Sequence, residues 1–316
     1  MIDSPKKVAG ILKEQDNILI LVHAHPDGDT LGCGYSLCRS LLSMGKNARV
    51  SCSDPVPSKY GYLFNDIEEK SFDPDFIVAV DVADTKLLGK ANEELYAHKI
   101  DLCIDHHGSN RLYAKQTYLD ASAAAACEIL LQVIKELGVE ISKETADCIY
   151  TGLSTDTGCF RYSNVTPRTM IMGAEMIEKG ASHAKINTVM FDTKTKSYLE
   201  LQRLCLEGLE MHFDDNCALI TVTQEMFRKS GSDESECDAI ASLSRQVEGV
   251  IIGATLRERA DGSFKVSLRT HEPVDASVIC ARMNGGGHPR AAGCQLEGTL
   301  EEAKAVLLKN IEEYLK

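Results

Sequence analysis

No run of apolar residues in this 316-residue chain approaches the roughly 20 needed to cross a bilayer, so a membrane-spanning helix is not expected. The opening stretch Met1-Ile2-Asp3-Ser4-Pro5-Lys6-Lys7 has no apolar signal core, and no targeting segment is read from it. The chain has 12 cysteines but no Cys-x-x-Cys pair and no tight disulfide-like spacing. Several, among them Cys103, Cys127, Cys148 and Cys217, sit inside apolar runs, where a thiol serves as a small reduced hydrophobe. Together these absences predict a cytoplasmic protein. Basic charge is also scarce, 34 Lys and Arg against 47 Asp and Glu, for a net charge of −13. Gripping long nucleic acid by its phosphates takes a basic face, so long duplexes and long single strands are not expected partners. A local basic pocket still fits within the acidic total. No internal repeat stands out, and the only biased tract is the alanine run 123–126.

What is present is a regular alternation. Residues 17–22, 76–80 and 100–104 are short continuous apolar runs, read as buried parallel strands that end at His23, Asp81 and Asp105. A helical pattern over 30–44 stops at Gly45. Further helices are expected over 121–137, closed by Gly138, over 143–153, and from Pro167 to a stop at Gly180. The order β-α-β-α-β predicts an α/β fold with a parallel sheet. Residues 194–213 read as one mixed-charge helix joining two domains. Beyond it, strands are expected over 218–223, 250–257 and 263–269, helices over 238–247 and 300–315. The predicted organisation is an N-terminal parallel-sheet domain over 1–190, a helical linker over 191–213 and a smaller α/β domain over 214–316.

The chemistry gathers at strand ends, where an open α/β sheet collects its active site. The segments are His23-Ala24-His25-Pro26-Asp27-Gly28-Asp29, Asp81, Asp105-His106-His107 and, after the later helix, Asp156. An isolated acid at a strand end is ordinarily a turn or cap residue. Four such groups converging on one sheet edge make that explanation a coincidence of four. Carboxylate oxygens with imidazole nitrogens suit Mn²⁺, or Mg²⁺ with more water, and the missing thiolates argue against structural zinc. A shared carboxylate can hold two ions about 3.5–4 Å apart, a separation that suits phosphoryl transfer.

With these motifs, and with Gly285-Gly286-Gly287-His288-Pro289-Arg290 downstream, nearly the whole chain resembles the DHH phosphoesterases that carry an appended DHHA1 domain. The resemblance implies one metal held by His23, Asp27 and Asp81, and a second held by Asp29, Asp81, His106 and Asp156, with Asp81 bridging. It implies that His107 contacts a substrate phosphate and that Asp105 orients the imidazole of His106. In the second domain it implies a phosphate or nucleotide grip by Gly286, Gly287, His288 and Arg290, with Arg269 as a further phosphate-binding arginine. Arg257 and Arg282 are explained equally well by surface solubility. Two departures stand out. Ala124-Ala125-Ala126 replace residues that in the family often bear hydroxyls, and His25 stands where asparagine is common. Tyr60, Tyr62 and Phe64 alternate and are assigned to packing rather than to stacking on a base.

The function so implied is two-metal hydrolysis of short RNA oligonucleotides, of adenosine 3′,5′-bisphosphate, or of both, with two Mn²⁺ ions, or Mg²⁺ or another divalent ion in their place. The alternatives are a phosphodiesterase for cyclic or linear dinucleotides such as di-AMP, and a catalytically silent nucleotide sensor. The expected partner is a short oligonucleotide or small nucleotide, with no long duplex, no membrane, and a homodimer as the oligomer to test.

Overall fold

The computed structural model describes every residue of the chain except residue 69, and of residues 235, 238 and 239 the backbone alone. The chain divides into two units, Met1–Thr193 and Lys194–Lys316. In the first, strands β1 (Ile18–Leu21), β2 (Ala48–Ser51), β3 (Phe76–Val80), β4 (Leu102–Asp105) and β5 (Gln116–Leu119) form a wholly parallel sheet in the order β2-β1-β3-β4-β5. The central strands β1, β3 and β4 are buried throughout, which is why each reads as an unbroken apolar run. The edge strands β2 and β5 are only partly buried and carry polar residues, so neither stands out in the sequence.

Among the described residues the α-helices with this sheet are α1 (Pro5–Glu14), α2 (Gly28–Ser43), α3 (Gly89–Tyr96), α4 (Ala126–Leu137), α5 (Lys143–Asp156), α6 (Pro167–Glu178) and α7 (His183–Asn187). Leu12, Leu37, Ile129 and Ile149 share one core with Ile20, Val78 and Ile104. The opposite sheet face buries Leu19, Leu21, Ile77 and Ala79 with Leu88 and Ile100. Because β2 lies to one side of β1 and β3 to the other, the strand order reverses at the β1–β3 junction. A crevice opens there at the carboxyl ends of the strands. Glycines let α2 and α5 approach beside it. A Cβ on Gly32 would stand 2.5 Å from the carbonyl oxygen of Cys148, and one on Gly152 would stand 2.3 Å from Cys127 Sγ and 2.5 Å from Asp29 Oδ1.

The second unit builds a six-stranded sheet from β6 (Glu210–His212), β7 (Cys217–Val222), β8 (Ile252–Glu258), β9 (Phe264–Thr270), β10 (Gly286–His288) and β11 (Ala291–Leu296). Its order is β10-β11-β9-β8-β7-β6, antiparallel except for the β7–β8 pair. The accompanying helices are α8 (Lys196–Glu207), α9 (Gln224–Ser230), α10 (Cys237–Ile240), α11 (Ala276–Ala281) and α12 (Leu300–Leu315). α11 and α12 cover one face through Ile279, Cys280, Leu307 and Ile311. Among the described residues no helix is long and apolar enough to cross a membrane.

Three expectations need correction. The helix read over 194–213 is α8 alone: it stops at Gly208, and β6 follows, paired with β7. Nor is α8 a bare connector, since Tyr198, Leu201 and Cys205 bury with Ile220, Val222 and Phe227 of the second unit. The helix expected over 238–247 is only α10 and a 3-10 turn at Ser244–Gln246. Finally, α4 starts at Ala126 rather than 121, because Ala125 is extended and serves as its cap.

Candidate metal centre

The carboxyl ends of β1, β3 and β4 deliver His23, Asp81 and His106 to the crevice, the start of α2 adds Asp27 and Asp29, and the last residue of α5 adds Asp156. Their donor atoms form two groups, each within 4.8 Å: His23, Asp27 and Asp81 in one, Asp29, His106 and Asp156 in the other. Asp81 joins the two. Its Oδ2 lies 3.7 Å from His23 Nε2 and its Oδ1 lies 3.5 Å from His106 Nε2. His23 Nε2 is 3.5 Å from Asp27 Oδ1, and His106 Nε2 is 3.4 Å from Asp156 Oδ2 and 3.9 Å from Asp29 Oδ2. Asp81 is 3% exposed and has a φ of +57°, a conformation that non-glycine residues rarely adopt and that clusters at functional sites.

Backbone groups aim these side chains. With its proton on Nδ1, His23 donates to the carbonyl of Ala24 at 2.8 Å, and His106 likewise donates to the carbonyl of Ala123 at 3.1 Å. Both Nε2 lone pairs then face the carboxylates, the tautomer a metal requires. Asp27 caps α2, its Oδ1 accepting from the N–H groups of Asp29 and Thr30. Asp29 reaches across to the start of α4, where its two oxygens accept from the N–H groups of Ala126 at 2.6 Å and Cys127 at 3.0 Å. Ala125, the cap residue of α4, has no side-chain acceptor, so a carboxylate from another helix takes that place, where the helix dipole favours it.

The donor set calls for cations. Asp81 Oδ1 and His106 Nε2 are buried and have no hydrogen-bond partner among the described residues, a state native proteins seldom leave uncompensated. Burial raises the carboxyls of Asp81 and Asp156 well above their usual range, and neighbouring carboxylates push both further. Asp29 is raised by burial too, against the opposing pull of His106. Divalent ions would satisfy the open lone pairs and neutralise this repulsion, and an oxygen-rich set with imidazole suits the harder divalent metals. Cys33 and Cys127 lie behind Asp29 with Sγ atoms 3.5 Å apart, and burial pushes both thiols well up, which keeps them neutral.

Asp105 does not hold the imidazole of His106. Its Oδ1 accepts from His107 Nδ1 at 2.8 Å and from the backbone N–H groups of His106 and His107, and its Oδ2 accepts from Asn110 Nδ2 at 2.6 Å. The carboxylate folds back over the next two backbone N–H groups as an Asx turn, which brings it to ring 107 and leaves ring 106 to a carbonyl. Burial pushes the carboxyl of Asp105 up, but hydrogen bonds from His107 and Asn110 overcome this and hold it below its usual range. The hydrogen bond to Asp105 in turn raises the imidazole of His107. His25 is exposed, its Nδ1 3.0 Å from Asp54 Oδ2. Tyr62 is bonded to Thr151 and Phe64 stacks on Tyr35, so this aromatic stretch packs. Ala123, Asn110, Asp54 and the N–H groups at 126 and 127 escaped sequence reasoning. Of these, Asn110, five residues past Asp105, and Asp54 act through side chains, and the rest act through backbone groups.

In the second unit, residues 285–293 form a hairpin. Gly286, Gly287 and His288 are the exposed strand β10, paired with β11. Gly287 has a φ of +143°, and a Cβ there would stand 2.6 Å from the carbonyl oxygen of Ala291. Arg269 lies opposite Ala291, itself opposite His288, so Arg269 and His288 share a sheet face. Arg290, at the turn, donates from Nη1 to the carbonyl of Val274 at 2.5 Å.

Comparison with known proteins matches this division. The model of the DHH family, N-terminal domain, covers residues 17–153, and that of the DHHA1 domain covers 216–316. The chain is 33% identical to the bifunctional oligoribonuclease and PAP phosphatase NrnA of Thermus thermophilus, over 98% of this chain and 93% of that one. It is 23% identical to the protein of the same name from Bacillus subtilis, over 92% and 93%. An exopolyphosphatase-related protein of Bacteroides fragilis has a similar solved structure, with a TM-score of 0.89 and 26% identity over 98% of this chain and 96% of that one. The two-part fold, the acid and histidine cluster at the β1–β3 junction and these matches place the chain in the DHH family of phosphoester hydrolases with a DHHA1 domain.

Proposed function

We propose that this protein hydrolyses short RNA oligonucleotides and adenosine 3′,5′-bisphosphate, using two Mn²⁺ ions held at the β1–β3 crevice. The observation that carries the reading is Asp81, buried between His23 and His106 with one oxygen toward each. His23, Asp27 and Asp81 would hold one ion, and Asp29, Asp81, His106 and Asp156 the other. When bound, such a pair supplies Lewis acidity that polarises a phosphoryl oxygen and makes water nucleophilic at neutral pH.

The chain's own groups do the rest. Asp105 keeps a proton on Nδ1 of His107 and favours the imidazolium, so His107 offers Nε2–H to a phosphoryl oxygen as charge develops there. Ala123 and Ala24 lock the ligand rings in one tautomer, and the N–H groups at the start of α4 fix Asp29. Gly286, Gly287, His288, Arg290 and Arg269 are assigned to the substrate phosphate or terminal base. The relatives' names, oligoribonuclease and PAP phosphatase, support this substrate class.

The test is product release from di- to pentanucleotide RNA, adenosine 3′,5′-bisphosphate, linear and cyclic di-AMP, and pyrophosphate, with Mn²⁺ or Mg²⁺ and after chelation. Turnover of short RNA and the bisphosphate, lost on chelation and in Asp81→Asn, is the expected result. Near-normal turnover by metal-saturated Asp81→Asn would refute the bridging role.

A further inference from the structure

Opposite the core of α11 and α12, the sheet face of the second unit is apolar at β7, where Ile220 and Val222 bury with α8 and α9, and polar from β8 outward, where strand register arranges it in rows. Ala254, Leu256, Val266 and Leu268 turn toward the core, so the alternate residues of β8 and β9 point the other way. Arg269 and His288 lie in the first row, with Ala291 between them. The second row pairs the hydroxyls of Thr255 and Ser267 and continues into Gly293 and Gly286, which leave its floor flat. The third sets Arg257 directly across from Lys265, with Gln295 beyond.

Rows two and three contain polar groups that the fold itself does not satisfy. Thr255 is 5% exposed, and its Oγ1 has no hydrogen-bond partner among the described residues. Arg257 Nε is likewise buried without a partner, while the two Nη atoms face the backbone and carboxylate of Glu234. Glu234 meets Arg257 on one side, whereas Lys265, directly across the strand pair, has no ion-pair partner among the described residues. Thr255, Arg257, Lys265 and Ser267 line one recess, walled by Cys237 and Ala241. The recess has room for little more than a water molecule, so a phosphate would lie at its mouth and reach these donors with one oxygen. Along β9 the third row is four residues from the first, about 14 Å at ~3.4 Å per residue.

We propose that Arg257, Lys265, Thr255 and Ser267 form a second anion subsite, which takes an inner phosphate of an RNA oligonucleotide whose terminal phosphate lies at Arg269 and His288. The inference rests on the reading of those two residues as the nucleotide grip. A single nucleotide, even with phosphates at both its 3′ and 5′ positions, is too short to touch both rows. The subsite therefore strengthens binding of oligonucleotides and leaves the bisphosphate unaffected, so one metal centre serves two lengths of substrate with separate affinities.

The test compares wild type with the double variant Arg257→Gln/Lys265→Gln on pentanucleotide RNA and on adenosine 3′,5′-bisphosphate. Loss of two charge-assisted contacts should lower kcat/KM for the pentanucleotide about tenfold or more, chiefly through KM, with less than about twofold change for the bisphosphate. Equal losses on both substrates, or none on the pentanucleotide, overturn the subsite. Binding of a fluorescent pentanucleotide RNA to the chelated full chain separates this from failure of the functional reading. Weaker binding by the double variant supports the subsite even if neither substrate is turned over, and unchanged binding overturns it. Thr255→Val gives a second measure: removing an unsatisfied hydroxyl should raise Tm while weakening pentanucleotide binding, whereas a purely structural threonine would lower Tm.

Discussion

Asp81 concentrates the tension in this fold. It is a buried carboxylate in a left-handed backbone conformation with other acids around it, and its folded pKa lies well above the ordinary value of 3.8. The sign of the consequence follows from proton linkage. Between the unfolded and folded pKa values the folded chain holds a proton that the unfolded chain has released, so stability falls as pH rises through that window and stays lowest above it. Asp81→Asn removes this penalty. In chelator, the Tm of Asp81→Asn minus that of wild type should therefore grow as pH is raised above about 4. A difference that is flat or shrinking with pH contradicts the repulsion argument. Asp105→Asn tests a different residue-scale point. Asp105 holds His107 while a backbone carbonyl holds His106, so the change should lower kcat about 10- to 100-fold and leave metal affinity intact. Weakened Mn²⁺ binding, read by calorimetry, would return Asp105 to the service of His106.

At the scale of elements, the metal centre depends on how closely α2, α4 and α5 approach one another. Asp29 leaves α2 and ends on the N–H groups of α4, and Gly152 of α5 passes against it with no room for a methyl group. Gly152→Ala should cost about 1–3 kcal/mol of stability through overpacking against Cys127 and should also weaken divalent-metal binding, because the methyl group would displace Asp29 Oδ1 as well. Denaturation with and without metal measures both terms. A stability loss with metal affinity unchanged would show that α5 packs independently of the site. The bare alanine cap of α4 has the same logic. The hydroxyls that the family often carries there are missing, yet the helix start is not left uncapped, because Asp29 occupies it.

For the whole molecule, each unit has its own apolar core and all six candidate metal ligands lie in the first. An ion that binds only the folded first unit stabilises that unit by mass action, about 2.7 kcal/mol at a free concentration 100 times Kd. Scanning calorimetry should show one unfolding transition rising with Mn²⁺ while a second stays in place. Equal movement of every transition would mean that the two cores melt as one.

Much of this was legible along the chain. Buried parallel strands announce themselves as short apolar runs, and the residue after each run stands at the sheet's carboxyl edge, so His23, Asp81 and Asp105, with His106 beside it, could be read as neighbours at one edge before any fold was seen. The edge strands β2 and β5, half-exposed and polar, gave no such signal. Nor did the contacts made by backbone atoms, since a carbonyl at Ala123 or an N–H at Ala126 is the same group in every residue. Which histidine Asp105 would hold was settled by the turn after β4, and the rows of the second unit by strand register. Sequence spacing determines which side chains exist near a strand end. Only the packed backbone decides which atoms come within hydrogen-bonding reach, because that depends on turns, register and helix approach that residues far apart in the chain set together.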